Sequence, residues 1–128
     1  MVRQFLSTIE YGAMTVNTNV DGPNVAFGET LSGTVYIEGD NSDELVDYIE
    51  IELMKRSETD EVIIAKQSIE IMSDIKSKET WMIPFEMVPD ERWESGSEAQ
   101  TQTLILKTTV HLKNGIDIQD EGEITYAC

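Results

Sequence analysis

Polar and apolar residues alternate along most of this chain, and the alternation has a period of two. From Ala13 to Val20, Met14, Val16, Thr18 and Val20 fall on one side, with Thr15, Asn17 and Asn19 on the other. Only a strand places every second side chain on one face, so this run reads as a half-buried strand. Leu31, Gly33, Val35 and Ile37 repeat the pattern against Ser32, Thr34, Tyr36 and Glu38. Ile49, Ile51 and Leu53 do so against Glu50, Glu52 and Met54. A helix over 44–56 suits several of those residues, but Glu50 and Glu52 interleave at period two and favour a strand. Further strands are predicted over 62–75, through Ile64, Ile69, Ile71 and Ile75, and over Trp81, Ile83 and Phe85. Pro84 makes the second of these an edge strand or a bulge, because proline cannot donate to a ladder. Leu104, Leu106, Thr108, Val110 and Leu112 form the longest alternation, and a short last strand covers Glu123 to Tyr126.

Turn chemistry separates these runs. Asp21-Gly22-Pro23-Asn24, Gly28-Glu29-Thr30, Gly39 to Asp43 and Glu58-Thr59-Asp60 are rich in turn-forming residues. Asn114-Gly115, between two apolar runs, predicts a hairpin with both turn residues at positive φ. Pro89 to Gln100 reads as a surface loop. Residues 1–12 form an N-terminal arm in which Val2, Phe5, Leu6 and Ile9 fall near helical spacing, so one or two helical turns are predicted there. Seven or eight strands separated by turns make an all-β, antiparallel, immunoglobulin-like sandwich, a single domain over 13–126.

A chain of 128 residues can bury such a core without covalent staples. Its 25 acidic residues against nine basic ones give a formal net charge of −16. Phosphate backbones and anionic headgroups repel such a chain, and no basic cluster larger than Lys55-Arg56 or Lys76/Lys78 offsets this. Neither nucleic-acid binding nor membrane insertion is expected. A partner attracted by charge is a basic one. The one cysteine, Cys128, excludes an internal disulfide and fits a reducing compartment, so a cytoplasmic location is expected.

Candidate chemistry is sparse. His111, the one histidine, falls on the side of its strand opposite Leu104, Leu106, Val110 and Leu112, facing solvent, with no nucleophile placed beside it. Asp40-Asn41-Ser42-Asp43-Glu44 begins like a calcium loop, but Leu45 and Ile51 stand where that loop needs glycine and glutamate. Asp117-Ile118-Gln119-Asp120-Glu121 has no ligand spacing, and both acidic runs read as solvated rims. No nucleotide, nucleophile-elbow or zinc motif is present, and no catalytic residue, cofactor or metal site is assigned. Trp81 reads as core. Trp93, in a polar loop, reads either as an exposed partner contact or as a ring folded back to cap the core.

Certain segments resemble a known family. Val16-Asn17-Thr18, Gly28 to Gly39, Asp47 to Leu53 and Thr109 to Ile118 are similar to the sporulation-control protein family (stage-zero sporulation protein M). The spacing Gly28-x-x-Leu31-x-Gly33-x-Val35-x-Ile37 also resembles the first domain of arrestin-like folds. The resemblance covers roughly residues 5–126. It implies an arrestin-N-like sandwich in a bacterial cytoplasmic protein that influences sporulation through protein–protein contacts, without catalysis. It also implies a second sandwich beginning about where Cys128 stands. The Asp-Pro usual in the family after the last hairpin is replaced by Asp120-Glu121-Gly122. The expected function is therefore that of a non-enzymatic regulatory or scaffold protein, with edge strands offering a route to a homodimer. The alternatives are a small carboxylate-based metal-binding or hydrolytic protein and a self-assembling structural subunit.

Overall fold

The structure, a computed structural model, describes residues 6–12, 14–22, 24–26, 28–38, 46–56, 60–70, 81–93 and 102–127. The strands, in chain order, are β1 (Ser7–Tyr11), β2 (Met14–Val20), β3 (Asn24–Ala26), β4 (Leu31–Glu38), β5 (Val46–Arg56), β6 (Glu61–Glu70), β7 (Trp81–Met87), β8 (Gln102–Leu112) and β9 (Asp117–Ala127). A 3₁₀ turn, Glu91–Trp93, lies between β7 and β8. The strands form a four-stranded sheet in the order β1-β2-β4-β7 and a five-stranded sheet in the order β3-β9-β8-β5-β6.

The core lies between the two sheets and is made of the inward residues that the alternation predicts. Met14 and Val16 of β2, with Leu31, Val35 and Ile37 of β4, meet Ile49, Ile51 and Leu53 of β5 and Leu104, Leu106 and Val110 of β8. Each full burial of such an aliphatic side chain contributes about 1.5–3 kcal/mol. One polar pair sits among them: Thr18 and Thr108 are both buried, and their hydroxyls share a hydrogen bond of 2.7 Å from sheet to sheet. The strand reading of 46–56 is correct, and β7, with Pro84, is an edge strand.

Four details differ from the sequence expectation. The N-terminal segment is a strand and not a helix over Ser7–Tyr11, paired with β2 through Ile9↔Val16. Ser7 and Ile9 point inward and Thr8 and Glu10 outward, so the period-two pattern of the described residues prevails over the helical spacing. Asn24, read as the end of a turn, instead begins a short parallel edge strand, Asn24–Ala26, on β9. The hairpin after β8 is a three-residue loop. Gly115 N–H donates to the Leu112 carbonyl at 3.0 Å, Leu112 N–H donates to the Ile116 carbonyl, and Gly115 has a positive φ of 90°. Such a loop needs glycine only at its last position.

The last difference concerns 116–126, predicted as two runs and found as one strand of 11 residues. The residues that looked like a break each hold a neighbour. Asp120 Oδ2 accepts the Thr8 N–H at 3.0 Å. Glu121 receives Arg56. Gly122 leaves room for Leu6, whose backbone oxygen would lie 2.6 Å from a Cβ built there. In this way β1 closes over β9 along one side of the sandwich. Ile71, Ile75, the side chain of Trp81, residues 94–100 and the acidic run Asp40 to Glu44 lie outside the described residues.

Candidate functional site

The outer face of the five-stranded sheet gathers most of the ion pairs among the described residues. Its position follows from parity: with Ile49, Ile51 and Leu53 turned inward, Tyr48, Glu50 and Glu52 of β5 must face outward. The register sets Tyr48 opposite His111 of β8 and Glu70 of β6, and His111 opposite Asp117 of β9. Four strands thus deliver one connected row.

The row is centred on His111, whose ring stacks on Tyr48 at 4.2 Å between centroids and 16° between planes. Its Nδ1 lies 2.8 Å from Asp117 Oδ1. Its Nε2 lies 2.6 Å from Glu50 Oε1, within ion-pair range but off the line of a hydrogen bond. The other oxygen of Glu50 is 2.6 Å from Lys66 Nζ on β6. Lys66 is the main cause that holds the Glu50 carboxyl below its usual value of 4.5; the imidazole adds to this and partial burial opposes it. The same contact raises Lys66.

Further along the same face, Arg56 joins three strands. Its two terminal nitrogens reach Glu121 of β9 at 2.8 and 2.9 Å, and its Nε donates to Glu61 of β6 at 2.8 Å. The fork geometry raises the guanidinium pKa and lowers that of Glu121. Lys107 Nζ stands 3.9 Å from Glu52.

Chemically, each cation of the row faces a carboxylate. Carboxylates occupy both ring nitrogens of His111, on opposite edges, so neither nitrogen has an open side from which to act as a general base. The carboxylates do not converge on a common point. Among the described residues, no group of three or more His, Cys, Asp or Glu side chains is placed to hold a metal ion. Asp117, Gln119 and Glu121 face outward while Asp120 faces β1, so that acidic run is divided between two faces by the strand it occupies.

Trp93 is corrected as an exposed contact. Its ring is 0% exposed, edge-on to Tyr126 with centroids 5.5 Å apart. The 3₁₀ turn turns it inward: Asp90 accepts the Trp93 N–H through its backbone oxygen at 3.0 Å and caps Arg92 N–H through its carboxylate at 2.9 Å. The second reading, a ring folded onto the core, is the one found. The signal was present in the sequence, since Asp90, Glu91 and Arg92 can close a turn that buries the next residue. His111 is on the outer face as predicted, yet its side chain is only 18% exposed. Tyr48, Glu50 and Lys66 carry no functional signal in the sequence, and Asp117 reads there only as part of a solvated acidic run. Their outward parity was readable for Tyr48 and Glu50, but the strand order that brings them to His111 was not. Cys128 lies outside the described residues.

With this geometry in view, comparison with known proteins is decisive for the family. The model of the SpoOM protein family (Spo0M) matches residues 2–127. The chain belongs to the Spo0M family. The fold agrees with it. The crystal structure of Spo0M, the sporulation control protein of Bacillus subtilis, superposes with a TM-score of 0.64 at 20% identity, over 92% of this chain and 51% of that one. The chain therefore spans about half the length of that Spo0M. A β-glucosidase of Listeria innocua, in complex with gluconolactone, matches at a TM-score of 0.51 and 15% identity, over 97% of this chain and 17% of the enzyme. At that identity the likeness is one of fold alone. No curated protein matches the chain. Among the described residues, no helix is long and apolar enough to cross a membrane.

Proposed function

We propose that this chain is a non-enzymatic regulatory module of sporulation control that works by binding other proteins in the bacterial cytoplasm. The observation that carries this reading is the family match over residues 2–127. The geometry supports it from the other side. The residues that looked most like chemistry, His111 and its carboxylates, are committed to one another across four strands. A lattice of that kind stiffens a sheet and keeps its shape constant, as a binding module needs. The glucosidase likeness lends no catalytic role, since it is one of fold alone and covers 17% of that enzyme.

The test has two readouts. Deleting the coding sequence in its own host should change the yield of heat-resistant spores, and a plasmid copy should restore it. Cross-linking in the same cells, followed by mass spectrometry, should recover a protein bound to the chain. An unchanged spore yield together with no cross-linked protein would overturn the reading.

A further inference from the structure

The two sheets differ in charge in a way that the total of −16 conceals. The strands of the four-stranded sheet, STIEY, MTVNTNV, LSGTVYIE and WMIPFEM, contain no lysine or arginine. Their charges are Glu10, Glu38 and Glu86 alone. The described cations lie elsewhere and are engaged: Arg56, Lys66, Arg92 and Lys107 each face a carboxylate, and Lys55 and Lys113 also have partners.

Where this sheet's edge strand β7 borders β6 of the other sheet, a cleft of about 460 Å³ opens, with no lysine or arginine among its lining residues. That is the size of pockets which hold a small ligand or a pair of side chains, roughly 300–1,000 Å³. Phe85 lines it, and Gln67 reaches it from β6 of the other sheet. Thr34 adds a hydroxyl, and the carboxylates are Asp21 and Glu86, both exposed. Neither carboxylate has an ion pair among the described residues, in contrast to Glu50, Glu61, Asp90 and Glu121. Beside the cleft on the same strand, the apolar side chain of Met82 is 64% exposed.

We propose that the β7 cleft is a docking site for a basic, extended protein segment, with an arginine or lysine head between Asp21 and Glu86. The methylene stem of such a side chain would lie along Pro84, which is exposed on the same face as Glu86, while its head stays with the carboxylates, as long cationic side chains do. Thr34 and Gln67 supply neutral acceptors for the remaining N–H groups. An apolar residue two positions along the segment would meet Met82, since alternate residues of an extended chain share a face. The site rests on the reading of the chain as a protein-binding module and specifies which surface binds and what it binds.

The test uses the full chain, labelled with nitrogen-15, and a short peptide alternating arginine and valine, with a glutamine-for-arginine peptide as control. At low ionic strength the arginine peptide should shift the amides of Asp21, Thr34, Met82 and Glu86, and the control should not. The D21N/E86Q variant should bind about tenfold more weakly, the loss of roughly 1.4 kcal/mol. The E70Q/E123Q variant, which removes two exposed acids from the other sheet, should bind as the parent does. No binding, shifts centred on Glu50 and Glu121, or equal weakening in both variants would each overturn the site. Cross-linking in cells separates this from the broader reading: a partner held equally well by D21N/E86Q refutes the cleft alone, and no partner for the parent chain refutes the module.

Discussion

Thr18 Oγ1 and Thr108 Oγ1 meet at 2.7 Å in the interior, tying β2 of one sheet to β8 of the other. One hydroxyl donates to the other among buried side chains. Replacing one threonine by valine therefore leaves a buried hydroxyl without a partner, at a cost of about 1–3 kcal/mol. Replacing both removes the unsatisfied group and preserves the shape. Denaturant unfolding of T18V, T108V and the double variant should show two destabilised single variants and a double variant close to the parent. Additive losses in the double variant would mean that the pair is not coupled.

A second close relationship fixes the packing of β4 on β7. Gly33 pairs with Phe85, and a Cβ at Gly33 would lie 2.6 Å from the Phe85 ring and 2.3 Å from the backbone oxygen of Asn19. The ring can move, but the Asn19 oxygen is held in the β2–β4 pairing. Gly33→Ala should destabilise by about 1–3 kcal/mol, the usual range for overpacking. Phe85→Leu in the same chain should recover only part of the loss, because the backbone clash remains. Thermal unfolding of G33A, F85L and G33A/F85L measures this directly.

These two pairs also mark the boundary between what the sequence disclosed and what it did not. Thr18, Thr108 and Gly33 all fall on inward positions of clear alternations, so their faces were legible, and with them the sandwich. Who meets whom was not. Strand order places Thr18 over Thr108 and Phe85 over Gly33, and alternation says nothing about order. The same limit explains the row at His111, whose partners come from β5, β6 and β9. It also explains β9: Asp120, Glu121 and Gly122 look like a break until β1 and β5 are placed against them. Trp93 is a different case: its polar neighbours are compatible with exposure and with a turn that buries it, and the turn is what they form.

Trp93 yields a prediction of its own. Its ring is fully enclosed against Tyr126, so Trp93→Ala leaves a large cavity and should cost about 3–5 kcal/mol. Its indole N–H has no hydrogen-bond partner among the described residues. Trp93→Phe removes that unpaired donor and keeps most of the volume, so it should cost much less than the alanine variant. In a Trp81→Phe background, Trp93 emission should be blue-shifted and slow to quench with acrylamide. Rapid quenching in the folded protein would show the ring to be accessible.

The contact between Glu50 and Lys66 sets an acid limit on the five-stranded sheet. Glu50 is held below its ordinary 4.5 in the folded chain, chiefly by Lys66. A depressed carboxyl contributes stability that is complete above the unfolded value and is lost as pH falls through the lower folded one. Relative to Lys66→Gln, the parent should thus be more stable at neutral pH, and the difference should vanish in acid below the usual carboxylate range. The effect is small because Lys66 is half exposed and screened by solvent. Urea midpoints of the two proteins measured from neutral to acid pH would display the convergence. A constant difference across that range would remove Glu50 as its source.

The edge strand β7 carries its own guard against self-pairing. Pro84 lies in the middle of a strand whose far side has no partner strand among the described residues, and a proline there withholds one donor from any chain that tries to add on. Its neighbours do little to help, since Met82 is largely exposed and β7 has no lysine to repel a second copy. Pro84→Thr restores the N–H with a residue that favours strands. The variant should self-associate with rising concentration, seen as growth in the mass measured by light scattering, while the parent stays constant. The net charge of −16 opposes association of like chains, so added salt should accentuate the contrast. Equal masses for parent and variant at high salt would show that the edge is protected by something other than the proline.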